Sequence, residues 1–207
     1  MARTAGSSGL ATETRIKEVA VRLIARHGFE SMTLRQLAKA AGLQSGSIYR
    51  YYPSKQHLLV SLLVEHMQSL LQEWEAVAPV SDDALTQLEA FCAFHVKAHT
   101  KKQYDVLIGN MELRSLRPAH YKIVVGLRKR YESILTSILK RGVDAEIFTV
   151  DDLPVATYIV LAMLTGVCTW YREKARLTQD EIVGIHTRMA LRAVLMRTKP
   201  DRGMPKG

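Results

Sequence analysis

Apolar residues recur along this chain every three or four positions, with polar residues between them. That period marks amphipathic helices, and no segment alternates with the period of two that a half-buried strand needs. Ile16, Val19, Ala20, Leu23 and Ile24 predict a first helix from about Thr12 to His27, its other face carrying Arg15, Lys17, Glu18, Arg22 and Arg26. Gly28 ends it as a left-handed cap. Thr33 and Gln36 form a capping box that opens a second helix, buried through Leu34, Leu37, Ala38 and Ala41. Gly42 permits a tight turn. Gln44 to about Tyr51 predicts a short third helix anchored by Ile48. Pro53 and Ser54 start a long fourth helix, Ser54 to Trp74, with Leu58, Leu59, Leu62, Leu63, Met67, Leu70 and Leu71 along it.

After a break at Val77–Val80, helices are expected over about 82–100 and 102–115, then from Pro118 to near Gly142. A strongly apolar helix follows Asp151–Pro154 and runs to Trp170; the capping box Thr178–Glu181 opens the last, to about Met196. The fold class is therefore all-α, with about nine helices. Residues 1–11 are small and polar and read as a flexible N-terminal arm; residues 199–207, with Pro, Gly and charge, read as a frayed tail.

Charge singles out one end of the chain. The formal net charge is +9, and residues 1–55 hold nine Lys/Arg against three acids, so most of the excess sits on the first three helices. A basic cluster there points to a polyanion partner. The two cysteines, Cys92 and Cys168, lie within apolar helical patterns and imply no disulfide framework, which fits a reducing cytoplasm. No unbroken run of 18 apolar residues occurs, so no membrane span is expected, and the N-terminus lacks the apolar core of a secretion signal.

Two short helices joined at a Gly-centred turn, the second opening with small polar residues, form a helix-turn-helix pattern, which places the start of its second helix in the DNA major groove. The Gln44 amide offers one donor and one acceptor, matching adenine. Ser45 and Ser47 suit bases or phosphates, and Arg50 and Lys55 suit phosphates. Tyr49 and Tyr52 offer a hydroxyl to phosphate or a ring to a sugar or thymine methyl, although one of the tyrosines at 49, 51 and 52 is expected in the core. Thr33 caps a helix whose N-terminus can face the DNA backbone.

Residues 12–60 closely resemble the N-terminal domain of TetR-family repressors through Thr33-Leu-Arg-Gln-Leu-Ala38, Ala41-Gly-Leu43, Gly46-Ser-Ile-Tyr49 and Tyr52-Pro-Ser-Lys55. The resemblance implies DNA contacts at Thr33, Gln44, Ser45, Ser47, Tyr49, Arg50 and Lys55. Family members often carry Phe at the position of Tyr52, which argues that Tyr52 is packed. It further implies a helix-turn-helix domain over 12–56 and an effector-binding and dimerisation domain over 57–198. The molecule would be a homodimer on a pseudo-palindromic operator, released when a ligand fills a C-terminal pocket.

The last two helices are the expected dimer interface: Val155, Ile159, Leu161, Leu164, Val167 and Trp170, then Met189, Leu191, Val194 and Leu195, with Ala162 and Gly166 permitting close approach. The stretches FHVKAH at 94–99, ELRSL at 112–116, Leu127–Tyr131 and Trp170-Tyr-Arg resemble a narrower group of repressors that sense acyl-coenzyme A thioesters of lipid, sterol or aromatic-acid catabolism. On that reading Phe91, Phe94, Met111, Met163, Trp170 and Tyr171 line an apolar tunnel. Arg114, Arg117, Lys122, Arg128 and Arg130 hold coenzyme A phosphates, and His95 and His99 bond a ligand carbonyl. An uncharged hydrophobic effector is the alternative. Cys92, His95 and His99, at i, i+3 and i+7, also suggest a metal sensor, though without an evident fourth ligand. No nucleophile elbow, phosphate loop or H-E-x-x-H motif supports an enzyme, and no cofactor is implied.

Overall fold

The computed structural model describes residues 5–195, and within them every regular element is helical. In chain order these are α1 (Ala5–His27), α2 (Leu34–Ala40), a 3-10 turn at Ser47–Arg50, α3 (Lys55–Val77), α4 (Ala84–Lys101) and α5 (Gln103–Met111). A second 3-10 turn at Leu113–Ser115 precedes α6 (Pro118–Asp144), α7 (Leu153–Thr165), α8 (Val167–Trp170) and α9 (Gln179–Leu195).

Several boundaries differ from those expected. Helix α1 begins at Ala5, so residues 5–11, expected as part of a flexible arm, are helical. Once a helix is nucleated, each further residue adds a hydrogen bond for little cost, and no proline stands in the way; Thr14 Oγ1 also donates to the Leu10 carbonyl at 3.0 Å. The third helix is only a 3-10 turn. Gly46 opens it without a side-chain cap, and the i→i+3 bond Ser47 N–Gln44 O is 2.9 Å. Ser and Gly are poor helix formers, so the tighter turn suffices here. The expected helix through Trp170 is divided at Gly166, between α7 and α8. The frayed tail lies outside the described residues.

The chain forms two compact units, Met1–Glu73 with Lys102–Lys129 and Trp74–Lys101 with Arg130–Gly207. In the first, Ile16, Ala20, Leu37, Ile48, Leu58 and Leu63 of the reader share one core with Ile108, Leu116 and Val124. Two glycines make its corners. Gly28 has φ +80° and Gly42 has φ +68°, the left-handed region that any Cβ makes costly. At Gly42 an added Cβ would also meet the Arg15 guanidinium at 3.0 Å.

In the second unit α4 packs against α7, α8 and α9. Phe91, Leu88, Leu135, Ile138, Leu139 and Leu164 are fully buried, and Trp74 meets Phe91 edge-to-face with centroids 5.2 Å apart. Leu153–Trp170 is apolar and long enough to cross a bilayer by length and composition, which for a single helix, here divided at Gly166, is weak evidence of a span; 28% of it is buried. Its exposed large apolar residues are Val155, Tyr158, Ile159 and Trp170, and Met189 and Leu195 are exposed on α9.

Candidate nucleic-acid interface and effector site

The reader presents most of its expected DNA contacts to solvent. Gln44, Ser45, Tyr49 and Arg50 are exposed and Ser47 is half-buried, while Ile48 between them is fully buried and pins the turn to the core. Thr33 is occupied locally: its hydroxyl accepts from Gln36 N (3.1 Å) and donates to Gln36 Oε1 (2.9 Å), and its amide donates to the same oxygen (2.8 Å). This complete capping box satisfies otherwise orphaned helix-start donors. Tyr52 is the core tyrosine. It is buried, its hydroxyl donates to Glu13 Oε1 at 3.1 Å, and burial raises its pKa to about 12.

Lys55 has an intramolecular role that its sequence position did not suggest. Its ammonium donates to the Glu30 carbonyl at 3.0 Å, lies 4.0 Å from the Glu30 carboxylate, and sits 4.6 Å above the Phe29 ring. It therefore ties the start of α3 to the corner after α1.

Four further contacts in this unit escaped the sequence. Glu112 is buried; its Oε1 accepts from the Phe29 amide at 3.0 Å and its Oε2 from the Ser115 hydroxyl at 2.8 Å. Gln56 donates to the Ser115 carbonyl at 2.6 Å and accepts from the Arg117 amide at 3.2 Å. Separately, a cleft of about 420 Å³ is lined by Lys17, Glu65, His66, Lys102, Tyr104 and Asp105, among others. Lys102 pairs with Glu73 at 2.6 Å and Lys17 with Glu65 at 2.6 Å. Burial opposes the Lys17 charge, but its bonds to Glu65 and Glu13 outweigh that and raise its pKa. His66 Nδ1 is buried without a hydrogen-bond partner, and burial, then the Lys102 and Arg128 charges, push this imidazole down to about 4.

The expected effector residues divide between the units. Phe91, Phe94, His95, His99, Met163, Trp170 and Tyr171 belong to the second; Met111, Arg114, Arg117, Lys122 and Arg128 belong to the first, whereas Arg130 begins the second unit's later segment. In the second, His95 is buried with Nδ1 3.1 Å from the Tyr131 hydroxyl and Nε2 3.0 Å from the Thr165 hydroxyl. His99 stacks on it at 3.7 Å and uses Nδ1 on the His95 carbonyl at 2.9 Å. Burial, then the neighbouring His99 and His186, hold the His95 pKa well below its ordinary value, and burial raises Tyr131. The result is a polar cluster within an apolar core, its His95 held in the neutral form. Trp170 is half exposed and stacks on His186 at 5.8 Å; Phe94, Met163 and Tyr171 are half-buried. In the first unit Met111, Arg114, Arg117 and Lys122 are exposed, and the half-buried Arg128 bonds Asn110.

The metal-sensor alternative fails here. Among the described residues no three His, Cys, Asp or Glu side chains are grouped to hold a metal. Both His95 nitrogens are engaged, and burial pushes the Cys92 thiol up to about 12, against formation of the thiolate a metal requires.

A basic, solvent-facing helix-turn-helix and a separate helical unit with a buried polar cluster define a DNA-binding regulator. Residues 16–62 match the family described as bacterial regulatory proteins, tetR family, and residues 81–194 match the tetracyclin repressor-like C-terminal domain. The chain belongs to the TetR family of transcriptional repressors; it is a regulator and not an enzyme. It is 25% identical over 181 residues to the HTH-type transcriptional repressor KstR2 of Rhodococcus jostii, covering 86% of this chain and 88% of that one. It is 26% identical over 130 residues to the fatty acid metabolism regulator protein of Bacillus subtilis, covering 63% and 67%. The solved structure of AibR in complex with isovaleryl coenzyme A and operator DNA has the same fold, with a TM-score of 0.80, 20% identity, and coverage of 87% and 98%.

Proposed function

We propose that this repressor binds a pseudo-palindromic operator as a homodimer and is released by an acyl-coenzyme A thioester. Gln44 reads a base edge, Ser45, Ser47 and Tyr49 contact bases or backbone, and Arg50 and Lys55 face phosphates. Thr33 acts through the helix start it caps. The dimer forms through α7 and α9, whose apolar residues Val155, Ile159 and Met189 are about half exposed, an unusual outlay for a monomer surface.

The observation that carries the effector reading is the buried polar cluster of His95, His99, Tyr131 and Thr165. A polar group in an apolar interior needs a partner, and a thioester carbonyl can accept from the hydroxyl or imidazole donors that now satisfy one another. The names of the similar proteins support the class: one regulates fatty acid metabolism, and one was solved with isovaleryl coenzyme A. A second reading, an uncharged apolar effector, is favoured by the apolar surroundings of this cluster, where Phe91, Val96 and Leu164 are fully buried. An effector that prefers a different helix arrangement lowers operator affinity by its differential binding.

The test is a gel shift on DNA flanking the gene, with a panel of acyl-coenzyme A esters. Release by one thioester, but not by its free acid or by coenzyme A, is expected. A complex that no thioester disturbs, but an uncharged apolar compound releases, would replace the effector class and leave the DNA reader standing.

A further inference from the structure

The first unit holds a cleft of about 420 Å³ between α1, α3 and the start of α5, and every residue lining it belongs to that unit. Both lysines that line the cleft are already neutralised. Lys17 lies 3.0 Å from Glu13 and 2.6 Å from Glu65. Lys102 lies 2.6 Å from Glu73 and donates to the Ser69 hydroxyl at 2.8 Å. At the rim Glu18 and Arg22, exposed one turn apart on α1, offset each other.

Asp105 has no such compensation. It is half-buried in the first turn of α5, and no ion pair among the described residues includes it. Burial holds its carboxyl above the ordinary carboxylate range, and the hydrogen bond from its own amide and the Lys102 charge offset only part of that cost. His66 Nδ1, on the same cleft, is buried without a hydrogen-bond partner, and the imidazole is neutral because burial depresses its pKa. A buried polar nitrogen left unbonded is costly, so a ligand that bonds it gains from doing so.

These groups select among ligands by charge. An anion would meet the Asp105 carboxylate and a neutral imidazole, with the neighbouring ammonium groups already engaged. Among the described residues no three His, Cys, Asp or Glu side chains are grouped to hold a metal. A protonated amine suits the cleft: its N–H groups donate to the carboxylate and to the imidazole nitrogen, and folding has already desolvated the carboxylate. Val21 and Leu62 on the cleft wall take an apolar body, and the Tyr104 ring, 56% exposed, offers a π face to the cation. We propose that this cleft is a binding site for a small organic ammonium, a protonated amine on an apolar group, held by Asp105 and His66 against Val21 and Leu62. It is separate from the effector site proposed above, whose polar cluster lies in the second unit, and does not rest on that reading.

The test is a methyl NMR titration of the full-length protein at neutral pH, following Val21 and Leu62. Phenethylamine is the probe, with hydrocinnamate and phenethyl alcohol as anionic and neutral counterparts of similar size. Saturable shifts are expected with the amine, with binding of the other two weaker by about tenfold or more. Asp105→Asn should weaken the amine by about tenfold or more, because it removes the charge that the ammonium meets. Asp105 has no ion pair to lose, so the variant is expected to fold; if it does not, Val21→Phe, which narrows the cleft, should abolish the same shifts. Hydrocinnamate binding as tightly as the amine overturns the proposal. So does unchanged amine affinity in folded Asp105→Asn, or in Val21→Phe where only that variant folds. Amine shifts confined to Leu164 and Val167 of the second unit, or no saturable shift at millimolar amine, overturn it equally.

Discussion

The two units treat buried polar groups in opposite ways. The first keeps several full charges close to its surface and neutralises them in pairs, Lys17 with Glu13 and Glu65, Lys102 with Glu73, Lys55 with Glu30, and buries one carboxylate, Glu112, on neutral donors. The second bonds its buried His95 to the hydroxyls of Tyr131 and Thr165, and leaves its ion pairs, Lys97–Asp180 and Lys140–Asp144, on the outside. A surface that meets a polyanion benefits from charge that solvent can screen and a ligand can recruit. A site for an apolar ligand benefits from polar groups that add direction without the desolvation cost of an ion.

The comparison breaks first in the second unit's core. Phe91 is fully buried between Trp74 and Tyr131, so Phe91→Ala should destabilise that unit by about 3–5 kcal/mol. Denaturant unfolding followed by Trp74 fluorescence measures it. A loss below about 1 kcal/mol would mean the core closes over the gap and is not the fixed frame the polar cluster needs.

Acid should act on both units by the same sign. The His66 pKa falls from 6.5 to about 4 on folding, so the unfolded chain binds the proton more readily. Stability is then fully present above pH about 6.5 and is lost as pH falls towards about 4, by an amount on the order of 2–3 kcal/mol. His66→Leu should flatten that stretch of a plot of urea midpoint against pH. An unchanged slope would assign the acid sensitivity to His95, whose pKa is also depressed by burial.

The smallest effects lie in the reader. Gln44→Ala should cost about 1–3 kcal/mol at one base pair and relax choice there. Lys55→Ala should weaken binding to all duplexes alike, because it loses a phosphate contact and frees the Glu30 and Phe29 corner. Binding measured across single-base operator variants separates them; equal losses across all variants for Gln44→Ala would remove its base-reading role.

The reader was largely legible because its determinants are local. Capping at Thr33 and Gln36, turning at Gly28 and Gly42, and the Ile48 anchor each depend on residues a few positions apart. Besides the early start of α1 at Ala5, the misjudged element there, a 3-10 turn in place of a full helix at Ser47–Arg50, sits where Gly and Ser leave the local preference nearly balanced. The effector residues were harder. Spacing placed Cys92, His95 and His99 on one helix face and so suggested a metal, but the partners of His95 come from α6 and α7 and His99 turns to the His95 carbonyl.

By itself the sequence determined the helices, the family and the basic reader, since period, caps and charge act within one or two turns of chain. Tertiary structure alone decided that Lys55 holds Glu30, that Glu112 holds Phe29 across 83 residues, and that His95 stays neutral. Each of these depends on which distant groups share a buried space, and burial sets both the strength of a hydrogen bond and the cost of a charge.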